Sequence, residues 1–114
     1  EMKIEKPLTE KMREKANACY RLFRDTDGYL TKSEIGEYLS LKDERQVRDV
    51  ISLVATKVPI ISKSNSKGYK MAKTAADYDE AMNTWAELSS RMEQLEKRIY
   101  PLIKFKDKIK GEQK

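Results

Sequence analysis

A run of apolar residues between Tyr78 and Leu102 constrains the fold more than any other feature of this sequence. Its members alternate spacings of three and four, which is the heptad pattern of a coiled coil: Tyr78, Ala81, Trp85, Leu88, Met92, Leu95, Ile99 and Leu102. A single helix cannot bury such a seam alone, so the pattern predicts a long amphipathic helix over 74–102 that pairs with a second copy of the chain. The alternative is a helix that folds back over the protein's own core.

The remaining residues leave room for one small domain in a chain of 114 residues. We expect this domain at 1–73. Because proline disfavours helix continuation, Pro101 is expected to kink or end the long helix, leaving 103–114 as a solvated, lysine-rich tail. No apolar run approaches the roughly 18–20 residues that a membrane span needs, and the first residues are too charged for a signal peptide. A cytoplasmic location without a membrane partner is expected.

The residue composition argues against most enzyme and metal chemistry. The chain has no histidine and a single cysteine, Cys19, which removes the commonest general base and the commonest zinc ligands. The helical spacing of Cys19 from Met12, Ala16 and Phe23 predicts a buried thiol. Asp25 and Asp27 lie in a predicted turn without a convergent base or nucleophile. We therefore expect no catalytic residue, no metal and no cofactor.

The first third of the chain predicts a helix followed by a short extended segment. Apolar residues recur at helical spacing from Thr9 to Arg24, and Thr9 is a plausible N-cap. The segment Asp25–Gly28 has the composition of a turn, so the helix is expected to end there. Tyr29 and Leu30 are then expected to form a short extended bridge.

Two further helices and a hairpin are predicted next. Thr31 and Glu34 match a capping box, which starts a helix whose apolar face contains Ile35, Tyr38 and Leu39. Asp43 is expected to cap a third helix over 44–56, whose buried face is predicted to contain Val47, Val50, Ile51 and Val54. The segments 59–63 and 69–72 favour two strands, joined by a turn at 64–68.

The order of these elements resembles prokaryotic and phage winged helix-turn-helix domains. The resemblance is carried by the capped segment 31–39, by the pair Val47-Arg48 in the third helix and by the step Gly68-Tyr69 on the second strand. It covers about half of the chain, from Leu8 to Ala72. It implies a mainly α fold with a small β-hairpin wing, to which the long C-terminal amphipathic helix is added.

The resemblance also implies double-stranded DNA as a partner, with the third helix in the major groove. Arginine and glutamine side chains suit base edges, and wing lysines suit phosphates. The residues expected at DNA are Lys32, Ser33, Lys42, Arg45, Gln46, Arg48, Lys63, Asn65, Lys67 and Lys70. The formal net charge of +5 agrees with an anionic partner. A dimeric regulator of transcription or replication, of phage or prokaryotic origin, is the expected function.

Two features of the same segment depart from that expectation. Asp43, Glu44 and Asp49 lie on or near the third helix, where carboxylates face repulsion from phosphate. Gly36 stands inside the second helix, where it costs about 1 kcal/mol relative to alanine, so close helix packing is expected there. The alternative interpretation is a protein-binding winged helix of a mobile element, which modulates or inhibits a host protein complex.

Overall fold

A computed structural model gives the structure of the protein at residues 9–63 and 68–112. Within these ranges the chain is mainly helical, with one antiparallel hairpin. The helices are α1 (Glu10–Asp25), α2 (Lys32–Leu39), α3 (Glu44–Ala55) and α4 (Tyr78–Glu112). The strands are β1 (Ile60–Lys63) and β2 (Gly68–Met71), and a 3-10 turn (Ala75–Asp77) precedes α4. The chain divides into two compact units, Glu1–Ala81 and Met82–Lys114.

The starts of α1, α2 and α3 are set by the predicted capping residues. The Thr9 hydroxyl accepts a hydrogen bond from the Met12 amide at 3.1 Å. Thr31 and Glu34 form the reciprocal capping box, and the Asp43 carboxylate accepts from the Arg45 amide at 2.9 Å. Such side chains satisfy backbone donors that lack a partner in the first helical turn. The sequence prediction of these three helix starts is confirmed.

The core of the first unit is formed by apolar side chains from all three of its complete helices. It comprises Cys19, Phe23, Leu30, Ile35, Leu39, Val47, Val50, Ile51, Val54 and Met71. The predicted buried face of α3 and the predicted burial of Cys19 are therefore confirmed. Tyr38 is different, because its side chain is 57% exposed although its spacing placed it with Ile35 and Leu39. Its position lies at the edge of the apolar stripe of α2, where a tyrosine can keep its hydroxyl in water.

The hairpin is extended by one residue pair from outside it. β1 and β2 pair antiparallel, with Ile60 opposite Met71 and Lys63 opposite Gly68. On the other side of β2, Leu30 and Tyr69 exchange two backbone hydrogen bonds of 2.8 Å each, so the predicted extended bridge at Leu30 is confirmed. The pairing depends on glycine at position 68, where φ is +92° and an added Cβ would lie 2.0 Å from the Leu30 carbonyl oxygen.

The second unit consists of the greater part of α4. The helix continues through Pro101 to Glu112. Of the two effects expected of Pro101, a kink or an end, the end of the helix is wrong, and so is the non-helical tail at 103–112. Proline removes one backbone donor and costs roughly 3 kcal/mol inside a helix. The residues after it are mostly leucine, isoleucine and lysine, which tolerate or favour a helix. The helical conformation therefore continues beyond the proline.

In the part of the chain that the structure describes, no helix is both long and apolar enough to cross a bilayer.

Candidate nucleic-acid interface

The exposed face of α3 is held in place by its buried face. Val47, Val50, Ile51 and Val54 are each at most 4% exposed, which fixes the rotation of the helix about its axis. Of the exposed residues, Arg45 lies opposite the buried face, and Gln46 and Arg48 lie on its two flanks. Within residues 9–63 and 68–112 neither guanidinium makes a salt bridge or a side-chain hydrogen bond. Both arginines are thus available to an external anion or base edge.

The close approach of α2 and α3 is set by Gly36. This residue is buried, and an added Cβ would lie 3.1 Å from both the Leu41 carbonyl oxygen and a methyl group of Val47. A larger side chain would push the two helices apart. The predicted close packing at this glycine is confirmed, and it fixes the distance between the starts of α2 and α3.

A groove of about 880 Å³ lies between these two helix starts and the hairpin. Its lining includes four residues that the sequence predicted at DNA, namely Lys32, Ser33, Lys42 and Lys63. The structure therefore brings them together from three separate elements. Arg45, Gln46 and Arg48 do not line the groove, and Lys70 lies elsewhere on the hairpin. Asn65 and Lys67 lie outside the described residues.

Lys32 and Lys63, two of the three groove lysines, are already paired with carboxylates. The Lys32 ammonium lies 2.8 Å from a Glu44 oxygen and links the start of α2 to the start of α3. This hydrogen bond, together with the positive charge of Lys32 and then that of Arg48, lowers the pKa of Glu44. Glu44, one of the acidic residues expected to repel phosphate, thus acts as a counter-ion for Lys32. Lys42, by contrast, is exposed and has no ion-pair partner in the described part.

The two predicted wing lysines with a described position are held in a cluster that the sequence did not reveal. We call it the hairpin clasp, and it consists of Tyr29, Lys63, Lys70, Asp77 and Glu80. Lys63 lies 2.7 Å from Glu80 and Lys70 lies 2.9 Å from Asp77. Both ammonium groups also lie within 6 Å of the centre of the Tyr29 ring, a distance at which a cation is attracted to an aromatic face.

The hairpin clasp links the 3-10 turn and the first turn of α4 to the hairpin. The Tyr29 hydroxyl donates a hydrogen bond to Glu80, and burial together with this carboxylate raises the pKa of Tyr29 to about 12. Asp77 accepts hydrogen bonds from the backbone amides of Lys73 and Thr74, at 2.8 and 3.3 Å. These bonds, with that from Lys70, lower the pKa of Asp77 to about 2. Lys63 and Lys70 are therefore neutralised within the unit.

The clasp predicts a loss of stability in acid. Because the pKa of Asp77 is depressed from 3.8 to about 2 in the folded protein, its ionised form stabilises the fold above about pH 4. This contribution is lost as the pH falls through 2. Urea denaturation from pH 5 to pH 2 should show a steeper fall in unfolding free energy for the wild type than for Asp77→Asn. Asp79→Asn, an exposed change two residues away, should keep the wild-type pH dependence. Equal pH profiles for wild type and Asp77→Asn would contradict this role.

The seam of α4 is exposed in the single chain. Seven of its eight predicted members are between 48% and 67% exposed: Tyr78, Trp85, Leu88, Met92, Leu95, Ile99 and Leu102. Ala81 is partly buried. Exposure of so many large apolar groups along one helix is unusual for a monomeric protein.

Within the described residues, no group of three or more Cys, Asp or Glu side chains is arranged to hold a metal ion. Comparison of the chain with protein-family models, curated proteins and solved structures finds no match.

Proposed function

We propose that the protein is a non-catalytic, dimeric DNA-binding protein with a winged helix-turn-helix domain, which acts as a cytoplasmic regulator of transcription or replication in a phage or prokaryote. The observation that carries the proposal is the exposed side of α3. There, the side chains of Arg45, Gln46 and Arg48 are exposed and make no salt bridge or side-chain hydrogen bond among the described residues, while the buried side fixes the rotation of the helix. A rigid helix with this set of donors suits the major groove of B-DNA.

The order and pairing of the elements support the winged helix assignment. A helix is followed by one bridged residue, then by two capped helices, and then by the hairpin. Leu30 pairs with β2, so the segment before α2 joins the same small sheet as the hairpin. This agrees with the order of elements on which the resemblance rests.

The chemistry of the exposed residues assigns separate roles. Arginine makes bidentate contacts to guanine and glutamine makes them to adenine, so Arg45, Gln46 and Arg48 are proposed to read bases. Lys42 is proposed to contact phosphate. Lys32 is proposed to do so as well, either while it keeps its hydrogen bond to Glu44 or by exchanging Glu44 for the phosphate. Lys63 and Lys70 are given smaller roles than the sequence indicated, because Glu80 and Asp77 already compensate their charges.

A DNA titration with matched variants tests this assignment. On a preferred duplex, selected from a random pool, Arg48→Ala should weaken binding by about 5-fold to 150-fold, since one bidentate contact is lost. Lys42→Ala should weaken binding to all duplexes alike and reduce the slope of log affinity against log salt by about one. Arg21→Ala removes the same charge from an exposed position of α1 and should have little effect.

The opposite outcome would favour the second candidate function. If duplex DNA binds no better than about 10⁻⁴ M at physiological salt and none of these variants changes it, the DNA proposal fails. The domain would then be proposed to bind a host protein. The observation that favours this candidate is that Lys32, Lys63 and Lys70 each have a carboxylate partner, which lowers the positive field of the face.

A further inference from the structure

The exposed seam of α4 and the charged residues next to it indicate whether a partner helix runs parallel or antiparallel to α4. We propose that a second copy of the chain pairs with this seam in parallel and in register, so that both N-terminal units are joined to the same end of the helix pair. This inference rests on the self-association proposed above and adds the orientation. It is independent of whether the partner of the domain is DNA.

Heptad positions next to the seam distinguish the two orientations. With Tyr78, Trp85, Met92 and Ile99 at position a, Arg91 falls at g and Glu96 falls at e. In a parallel pair a g residue meets the e residue five positions further along the partner. Arg91 of each chain then meets Glu96 of the other, which gives two attractive contacts related by symmetry.

Antiparallel pairing brings arginine against arginine. If the whole seam overlaps, Tyr78 lies opposite Leu102 of the second copy, and g residues then face g residues. Arg91 meets its own counterpart in this arrangement. A shift by one heptad toward the C-terminus places Arg91 against Arg98 instead. Like charges at these positions are destabilising. The antiparallel pairs with the longest overlap of the two seams therefore each contain an unfavourable contact between arginines.

Charges farther from the seam favour antiparallel pairing, but their effect is weaker. The N-terminal half of α4 contains Glu87 and Glu93, and the C-terminal half contains Lys97 and Lys104. These residues occupy positions b, c and f, on the side of the helix away from the seam. Across a helix about 10 Å in diameter they are separated by more than the Debye length of about 8 Å at physiological salt. The residues at e and g therefore decide the orientation.

The same register explains how α4 accommodates Pro101 and where the seam ends. Pro101 falls at position c, away from the seam, so its ring does not meet the partner. The carbonyl of Lys97, which loses its helical donor, lies at position f and remains open to water. The next a position after Ile99 is Lys106, whose charge would meet its own copy in a parallel pair. The seam therefore ends at Leu102.

Disulfide formation between single cysteines tests the orientation. Ala81→Cys and Leu102→Cys, made in separate chains, should each form an intermolecular disulfide under mild oxidation, because equivalent d residues are adjacent in a parallel pair. In a mixture of the two variants no disulfide should join position 81 to position 102, which are about 31 Å apart along the helix. The wild type is the control, since Cys19 is buried and its pKa is raised to about 12.

Antiparallel pairing gives a different result. No single antiparallel register allows both like-with-like disulfides, and the fully overlapped one brings position 81 close to the partner's C-terminal end. A disulfide between positions 81 and 102 in the mixture, or failure of either like-with-like disulfide, would overturn the proposal. A monomeric wild type would overturn it as well.

Charge reversal gives a second, reversible test without DNA. Glu96→Arg places Arg91 against arginine in the parallel pair and should raise the dimer dissociation constant by about 5-fold to 30-fold. Adding Arg91→Glu should restore it, because the attractive pairs return with reversed polarity. In the fully overlapped antiparallel pair Glu96 lies opposite Met82, so Glu96→Arg would change little, and that result would overturn the proposal. Neither measurement depends on DNA, so a failed DNA titration would leave the orientation decided.

Discussion

Replacing Leu88 and Leu95 by aspartate is expected to convert the proposed dimer into folded monomers. Both leucines occupy d positions and are 55% and 51% exposed in the single chain. Burying a leucine side chain contributes about 1.5–3 kcal/mol, and burying an unpaired carboxylate is unfavourable. Four such positions change in each dimer, so the dissociation constant should rise by at least about 1,000-fold. Sedimentation equilibrium measures it directly.

The matched control adds the same charges on the opposite side of α4. Ser90→Asp and Gln94→Asp fall at positions f and c, which are exposed and away from the seam. This double variant should remain a dimer. Circular dichroism should show that both variants keep the folded N-terminal unit. A wild type that is already monomeric at tens of micromolar would contradict the prediction and favour packing of the seam within one chain.

Replacing Ile51 by alanine is expected to destabilise the N-terminal unit by about 2–5 kcal/mol. Ile51 is 4% exposed and belongs to the core cluster. Its removal deletes buried methylene groups and leaves a cavity that the tightly packed neighbours fill only in part. Urea denaturation should show a lower transition midpoint with an unchanged slope.

Ser52→Ala provides the comparison for Ile51→Ala. Ser52 follows directly in α3 but is exposed, so its replacement should change the unfolding free energy by no more than about 0.5 kcal/mol. Similar, small effects of the two substitutions would mean that α3 is rotated differently about its axis. The assignment of Arg45 and Arg48 to the exposed side of α3 would then be wrong as well.

The local features of the fold were predictable because their partners are close in sequence. The capping bonds of Thr9, Thr31 and Asp43 span two or three residues, and the buried face of α3 follows from a helical period within one segment. The passage of α4 through Pro101 was harder to predict. The cost of one missing backbone bond must be compared with the helix preference of the residues after it, and the period alone does not decide that comparison.

The candidate site was predictable only in part, for the same reason. The exposure of Arg45, Gln46 and Arg48 follows from the phase of α3. The pairing of Lys63 with Glu80 and of Lys70 with Asp77 joins residues that lie seven or more positions apart, across a hairpin and a turn. Strand alternation already places Lys63 and Lys70 on one face with Ile61. It does not reveal that the 3-10 turn and the first turn of α4 supply the carboxylates.

Because the only cysteine lies in the core, its chemical reactivity reports the opening of the N-terminal unit. Cys19 is fully buried among the core residues, and burial raises the pKa of its thiol to about 12. An alkylating reagent therefore reacts with the closed molecule far more slowly than with an open one, because the thiolate is the nucleophile. When reclosing is faster than alkylation, the alkylation rate measures the fraction of molecules in which the helices are separated, and the temperature dependence of that fraction gives the enthalpy of opening. The opening equilibrium of the core can thus be followed at the native thiol, without any substitution in the chain.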